Sequence, residues 1–144
     1  MSTSSSPYVP LHLRSYFSLL RGCRSPEELC AHAAGAGFPA AGLADINNLY
    51  GAVRFITAAR REGIKPIIGA AVEYRKEYLF TAYCLTKRGF GRLNRLLTGM
   101  FMDEEYDPVA ISQVSDPVSI PVCTVMSAGS IASSSATICR AVVS

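Results

Sequence analysis

The sequence predicts an α/β fold whose strands and helices follow the order β-α-β-α-β-β-α over residues 8–99. Short apolar runs bounded by glycine and proline alternate with segments whose apolar residues recur at helical spacing. The segment Ser25-Pro26-Glu27-Glu28 carries the residues of a helix capping box, with proline at the first helical position. Because such alternation implies right-handed crossovers, we expect a largely parallel sheet.

Four apolar runs are predicted as strands, at residues 9–13, 40–44, 64–72 and 78–85. The second run consists of small residues and ends at Asp45, which is typical of a buried parallel strand. Sites in α/β folds gather at the C-terminal ends of strands. We therefore expect His12 and Asp45, which both follow such ends, to face one shared pocket.

Three helices are predicted between and after these strands. The first begins at the capping box and ends near residue 34, before two glycines. Asn47 or Asn48 is expected to cap the second helix, which ends at Gly63. Its buried face is predicted to carry Leu49, Ala52, Val53, Ile56 and Ala59. A short third helix is predicted over residues 90–97, and residues 75–77 are predicted to form a turn.

Composition limits the class of protein. The net charge of +3 over 144 residues is too small to indicate nucleic-acid binding by charge alone. Five cysteines without a CxxC pair suit a reducing compartment. The serine-rich first ten residues do not resemble a secretory signal, and no apolar run is long enough to span a membrane. We expect a cytoplasmic protein that does not bind membranes.

The chain divides into unequal parts. Residues 1–7 are predicted to be a flexible N-terminus and residues 8–99 the folded domain. Residues 100–144 are rich in serine, valine and alanine and carry hardly a charge after residue 105, so they are predicted to be a low-complexity tail. The sequence assigns this tail no role.

Four stretches resemble one known family. Residues 12–22 resemble its H-x-H-S-x-Y-S-L-L-x-G segment and residues 43–53 its L-T-D-H-x-N-L-x-G-A-V segment. Residues 63–69 match a G-I-K-P-I-I-G segment, and residues 85–96 are similar to the segment that follows the family's fourth strand. The family is the PHP domain at the N-terminus of bacterial DNA polymerase III alpha subunits. The resemblance implies the first portion of a PHP-type β/α barrel.

In active PHP domains, the resemblance implies, histidines and carboxylates hold divalent metals that hydrolyse phosphoesters. His12 stands at the first ligand position, and Asp45 is retained. Three ligand positions are lost. Arg14 stands where the family has its second histidine, Ile46 occupies the ligand position directly after the aspartate, and Ala71 stands where the family usually has a glutamate. A guanidinium, which has only donors, cannot bind a cation.

Two interpretations of this site stay open. In one, Arg14 forms an ion pair with Asp45 that replaces the metal charge. In the other, His12, Asp45 and Glu73 form a remnant site for zinc or manganese. We expect no catalytic residue and no cofactor in the first case.

The resemblance implies a degenerate, non-catalytic PHP module related to DNA replication or repair synthesis, with replicative polymerase components as partners. It leaves DNA binding open. One alternative is a metal-dependent phosphoesterase or 3′–5′ exonuclease, and another is an inactive binding remnant of a truncated gene. Because the resemblance covers only the first portion of a barrel, we also expect a truncated or frame-disrupted gene product. An incomplete barrel would leave unpaired strand edges that favour association.

Overall fold

The computed structural model describes residues 8–102 and the strand at residues 123–127. Its helices are α1 (Pro26–Gly35), α2 (Ala52–Arg61) and α3 (Lys87–Met102). Its strands are β1 (Ala40–Ile46), β2 (Lys65–Tyr74), β3 (Glu77–Cys84) and β4 (Cys123–Ser127). The mixed α/β class is therefore confirmed. The predicted flexible N-terminus and most of the predicted tail lie outside the described residues.

The four described strands form one sheet in the order β1-β2-β3-β4. Only β1 and β2 pair in parallel, whereas β2 with β3 and β3 with β4 pair antiparallel. The expectation of a largely parallel sheet is wrong. Arg75 and Lys76, at φ of 51° and 70°, connect β2 to β3 in a tight turn, and so short a connection permits only an antiparallel neighbour.

The predicted first strand lies beside β1 as an extended segment rather than as a full strand. One bridge joins Leu13 to Leu43 in parallel. The Gly42 N–H donates to the Pro10 carbonyl at 2.8 Å, and Leu13 N–H donates to the Gly42 carbonyl at 3.0 Å. A Cβ at Gly42 would lie 2.4 Å from the Leu11 carbonyl oxygen, so glycine permits this approach. Pro10 has no N–H to donate, which interrupts a regular ladder.

Helix α1 forms as its sequence predicts. The Ser25 hydroxyl accepts from the Glu28 N–H at 3.1 Å, and the Glu28 carboxylate accepts from the Ser25 N–H at 2.8 Å. This reciprocal pair satisfies two N–H groups that the first helical turn would otherwise leave free.

Helix α2 begins later than predicted, after Gly51, and no side chain caps it. The Asn48 amide oxygen accepts from the Tyr50 N–H at 3.2 Å instead. Asn47 adopts a φ of 52° and pairs with the backbone of β2. The prediction of an asparagine cap is wrong because the Asn48 side chain bonds within the connection before the helix and the Asn47 side chain bonds to the backbone of β2.

The buried face of α2 is also shifted from the predicted one. Phe55 is fully buried and packs with Leu43 of β1 and Cys30 of α1, whereas Val53 is 74% exposed. Ala52 and Ala59 are buried as predicted, and Ile56 and Leu49 are partly buried. The large ring of Phe55 lies at the centre of the contact and sets which side of the helix faces the sheet.

Helix α3 is longer than predicted and extends past residue 99. Leu93 and Leu97 pack against Val72 of β2 and Phe80 of β3. Strand β4 pairs with β3 over the register Phe80↔Ser127 to Cys84↔Cys123. The sequence predicts no strand within residues 100–144, because so short a strand depends on pairing with a neighbour more than on its own pattern.

The sheet therefore has two different faces. The helix-side face carries Leu43, Ala70 and Phe80 beneath the three helices. The opposite face carries small residues and one large ring, with Ala40, Ala44, Ile67 and Tyr83 packed beside Val9. Side chains of neighbouring register partners lie on the same face, so the register assigns each candidate site residue to one of the two faces.

Candidate functional site

The Asp45 carboxylate lies at the C-terminal end of β1, where it is 1% exposed. Its Oδ1 accepts from the Ser15 N–H at 2.7 Å and from the Ser18 hydroxyl at 2.6 Å, and its Oδ2 accepts from the Ser15 hydroxyl at 2.7 Å. The Ser18 oxygen also accepts from the Ile46 N–H at 3.0 Å. Protein donors thus compensate the burial of this carboxylate.

The loop that supplies these serines is held by its own backbone. The Ser18 N–H donates to the Ser15 carbonyl and the Gly22 N–H to the Ser18 carbonyl, each at 3.0 Å. A Cβ at Gly22 would lie 2.1 Å from the Ser15 carbonyl oxygen, so only glycine fits where the loop closes. We call Ser15, Ser18 and Asp45 the serine–aspartate cluster.

A second polar group lies on the opposite face of the sheet. The Arg14 Nη2 is 3.1 Å from the His12 Nε2, and the His12 Nδ1 is 3.4 Å from the Thr81 hydroxyl and 3.5 Å from the Tyr83 hydroxyl. A guanidinium can only donate, so the His12 Nε2 must accept and the neutral ring carries its proton on Nδ1. We call His12, Arg14, Thr81 and Tyr83 the arginine–histidine cluster.

The electrostatics of this cluster keep its rings neutral. Desolvation, followed by the positive charge of Arg14, lowers the pKa of His12 from its usual value of 6.5. Burial, followed by the proximity of Tyr78, raises the pKa of Tyr83, so its hydroxyl keeps its proton. The Arg14 Nε is buried and has no hydrogen-bond partner among the described residues. An unmade bond of this kind costs about 1–3 kcal/mol.

The register places the three lost ligand positions beside this second cluster. Ile46 pairs with Ala71, and Ala71 pairs with Thr81, whose hydroxyl is near His12. Asp45 instead pairs with Ala70, which packs on the helix-side face. The expectation that His12 and Asp45 face one pocket is therefore wrong, because they lie in separate hydrogen-bond networks on opposite faces.

The structure gives Arg14 and Asp45 different partners. Among the described residues Arg14 bonds to His12 and Asp45 bonds to the two serines, and no ion pair joins Arg14 to Asp45. The predicted ion pair between Arg14 and Asp45, which would replace the charge of a metal, is therefore not observed.

Glu73 follows a register shift in β2 between Val72 and Glu73. Its carboxylate is 3.8 Å from the Arg21 guanidinium, and Asn47 exchanges two hydrogen bonds with its backbone, at 2.7 and 2.8 Å. The structure therefore does not bring His12, Asp45 and Glu73 together. The second histidine of the chain, His32, is exposed on α1, where it contacts Arg24.

The donor set does not fit a divalent metal cluster. Within residues 8–102 the structure shows no group of three or more histidine, cysteine, aspartate or glutamate side chains suited to hold a metal ion. At the position of the predicted second ligand stands a permanent cation, Arg14, next to His12. Both oxygens of Asp45 are engaged by serine donors.

Four residues of these clusters, Ser15, Ser18, Thr81 and Tyr83, were not among the predicted site residues. Ser15 and Ser18 lie inside the motif at residues 12–22, so their hydroxyls next to a predicted strand end were an available signal. Thr81 and Tyr83 carried no such signal, because only the hairpin register brings them to His12. None of the described helices is long and apolar enough to cross a membrane.

Comparison with known proteins gives the family of the fold. A family model described as PHP domain matches residues 10–134. An error-prone DNA polymerase from Symbiobacterium thermophilum is 41% identical over 98 residues, which are 68% of this chain and 9% of the relative. A DNA polymerase III subunit alpha from Buchnera aphidicola subsp. Schizaphis graminum is 40% identical over 72 residues, which are 50% of this chain and 6% of the relative.

A solved structure from Bifidobacterium adolescentis, described as a metal-dependent phosphoesterase, superposes with a TM-score of 0.53 at 15% identity. The superposition covers 66% of this chain and 33% of that structure. This likeness shows a shared fold alone. The chain spans less than a tenth of the length of the polymerase relatives it matches.

Proposed function

We propose that this chain, which belongs to the PHP domain family, is a non-catalytic PHP module related to the DNA polymerase III alpha subunit and acts in DNA replication or repair synthesis. The matched relatives are named for polymerases, and they support the polymerase branch of the family. The polymerase activity belongs to proteins of which this chain covers 9% or less. The proposed role is therefore structural.

One observation carries the proposal of a non-catalytic site. The guanidinium of Arg14 bonds to His12, at the two positions where the resemblance implies neighbouring metal ligands. A divalent ion on His12 would lie beside this cation, and even two unit charges 4 Å apart repel by about 4 kcal/mol at an effective dielectric constant of 20. The side chains Ile46 and Ala71 next to it offer no ligand atom.

The experiment is a hydrolysis assay on the full chain with added Mn²⁺ or Zn²⁺. Its substrates are a chromogenic phosphodiester and a 5′-labelled single-stranded DNA, which reports 3′–5′ degradation. The matched control is His12→Ala, which removes the ligand that any remnant site needs. We expect no hydrolysis above the rate without protein, with or without EDTA. Metal-dependent hydrolysis that His12→Ala abolishes would establish the phosphoesterase instead.

We also propose that the partner of this module is the polymerase part that its relatives carry beyond the matched segment. The tip of the loop at residues 15–22 supports a contact with another protein surface, since Leu19 and Leu20 are 84% and 100% exposed. Apolar side chains exposed side by side favour association.

The partner proposal is tested by mixing the full chain with the Symbiobacterium polymerase from which the matched segment has been deleted, followed by size-exclusion chromatography. We expect co-elution that the double variant Leu19→Ser, Leu20→Ser weakens. The control is Leu85→Ser, which changes a less exposed leucine that directly follows β3. Separate elution of the wild-type chain would overturn this proposal.

A further inference from the structure

Exposed cations collect at the end of the sheet that lies opposite to the candidate site. The starts of β1 and β2 lie side by side there, since Ala40 pairs with Lys65, and the end of β3 lies beside them, since Cys84 pairs with Ile68. Helix α2 ends just before β2 begins, and α3 begins just after β3 ends. We call the exposed cationic side chains of these elements the basic end: Arg60, Arg61, Lys65, Lys87 and Arg88.

Carboxylates are scarce at the basic end. Among the described residues, Glu62 is the one carboxylate there, and its Oε1 is 3.1 Å from the Arg61 guanidinium. No ion pair of the described residues includes Arg60, Lys87 or Arg88. The other described carboxylates lie towards the candidate site, in the first turn of α1, at the end of β1 and beside the turn between β2 and β3: Glu27, Glu28, Asp45, Glu73 and Glu77. Charge is therefore separated along the strands, which the net charge of the chain does not show.

Helix α3 places two of these cations where positive charge is unfavourable. Lys87 and Arg88 are its first two residues, and its first turn carries no acidic residue. The N-terminus of a helix has a partial positive charge, which favours anions and disfavours cations. Within the described part of the chain no ion pair offsets this arrangement. A local departure from the stable pattern without a compensating contact is expected at functional surfaces.

We propose that the basic end binds the phosphate backbone of a double-stranded nucleic acid without reading its sequence. The cations follow one another across the end of the sheet, from α2 through β2 to α3, so a continuous polyanion can contact several of them at once. Arginine suits phosphate because its planar guanidinium can donate to two oxygens. A duplex fits better than a single strand, because single strands also stack their bases on aromatic rings and the basic end contains none. This surface does not depend on the proposed role beside a polymerase.

The probe is a short fluorescein-labelled DNA duplex, and its fluorescence anisotropy reports binding of the full chain in EDTA at several salt concentrations. We expect saturable binding that weakens with salt, with a slope of about −3 to −4 in a double-logarithmic plot, as about four phosphate contacts predict. The double variant Lys87→Gln, Arg88→Gln is expected to weaken binding about tenfold or more at low salt and to reduce the slope by about 2.

The matched control is Arg75→Gln, Lys76→Gln. It removes the same charge from two exposed residues at the opposite end of β2 and β3. Because salt screens charges beyond a distance of about 10 Å, we expect this variant to bind within about twofold of the wild type. If Lys87→Gln, Arg88→Gln does not fold by circular dichroism, Arg60→Gln, Arg61→Gln at the end of α2 tests the same surface, with the same expected change in slope.

Three outcomes would overturn the proposal. One is no saturable binding of the duplex, and another is an equal loss of affinity in the variants at the two ends of the sheet. The third is tighter binding of a single strand of the same length, or of a poly-glutamate peptide, which would assign the surface to single strands or to an acidic protein. Because EDTA removes divalent metals and no polymerase is present, this result is independent of the hydrolysis assay and of the partner experiment.

Discussion

The serine–aspartate cluster and the arginine–histidine cluster lie at strand ends on opposite faces of one sheet. They differ in how completely their charged side chains are hydrogen-bonded. Asp45 is almost fully buried and accepts three hydrogen bonds of 2.6–2.7 Å. Within the part of the chain that the structure describes, Arg14 bonds to His12 and keeps a buried Nε without a partner. The hydrogen bonds of the first cluster are complete among the described residues, whereas the second keeps one buried donor unpaired there.

This difference separates two groups of motif residues, those that hold the fold together and those at the ligand positions that the resemblance implies. The retained Asp45 fastens the loop at residues 15–22 to the end of β1 through Ser15 and Ser18. The replaced positions Arg14, Ile46 and Ala71 gather on the other face with His12. The retained motif residue Asp45 therefore contributes to the fold through its hydrogen bonds to the loop.

The largest expected effect is at Asp45. Asp45→Ala leaves two serine hydroxyls and the Ser15 N–H without their charged acceptor, so we expect the free energy of unfolding to fall by about 3 kcal/mol or more. Urea unfolding followed by circular dichroism measures this loss, with Glu77→Gln as the control at an exposed carboxylate. A loss below 1 kcal/mol, a value typical of surface sites, would contradict the structural role of Asp45.

Ser18→Ala has a smaller expected effect. It removes one donor to Asp45 and the acceptor of the Ile46 N–H, while Ser15 continues to bind both carboxylate oxygens. We expect a loss of about 1–2 kcal/mol by the same unfolding measurement. In the Asp45→Ala background Ser18→Ala should cost clearly less, because the two residues share one network. Full additivity of the two changes would argue against direct coupling.

Arg14→Met tests the incomplete cluster by the same method. Methionine keeps much of the apolar stem and removes the charge and the unpaired Nε–H. We expect a change in the free energy of unfolding within about 1 kcal/mol, towards greater stability, in phosphate-free buffer. A loss as large as that of Asp45→Ala would show that Arg14 is already paired within the folded protein, and the contrast between the clusters would fail.

The smallest effect concerns the protonation of His12. Its pKa is lowered by desolvation and then by Arg14, so Arg14→Met should raise that pKa part of the way towards 6.5. NMR titration of the His12 ring measures it. Because the folded state binds this proton less readily than the unfolded state, the contribution of His12 to stability is present above 6.5 and is lost as the pH falls from there through the lowered pKa of the folded state. An unchanged pKa in the variant would remove Arg14 as a cause.

Local signals predicted much of the fold. The capping box of α1 and the buried run of β1 are determined by adjacent residues, and both form as predicted. The motif match also located the loop that holds Asp45. Contacts between distant parts of the chain were harder to predict from the sequence, because the donors Ser15 and Ser18 are separated from Asp45 by 30 and 27 residues. The antiparallel register that brings Thr81 and Tyr83 to His12 depends on the turn at Arg75 and Lys76.

The most direct measurement of the central claim is a metal titration of the purified full chain. Equilibrium dialysis against Zn²⁺ or Mn²⁺ gives the bound metal per chain, and the melting temperature reports any binding to the folded state, since a ligand selective for that state must stabilise it. We predict no stoichiometric metal and no rise in melting temperature, in wild type and His12→Ala alike. One tightly bound ion per chain, with a stabilisation that His12→Ala abolishes, would contradict the account of a PHP module whose metal position is occupied by an arginine.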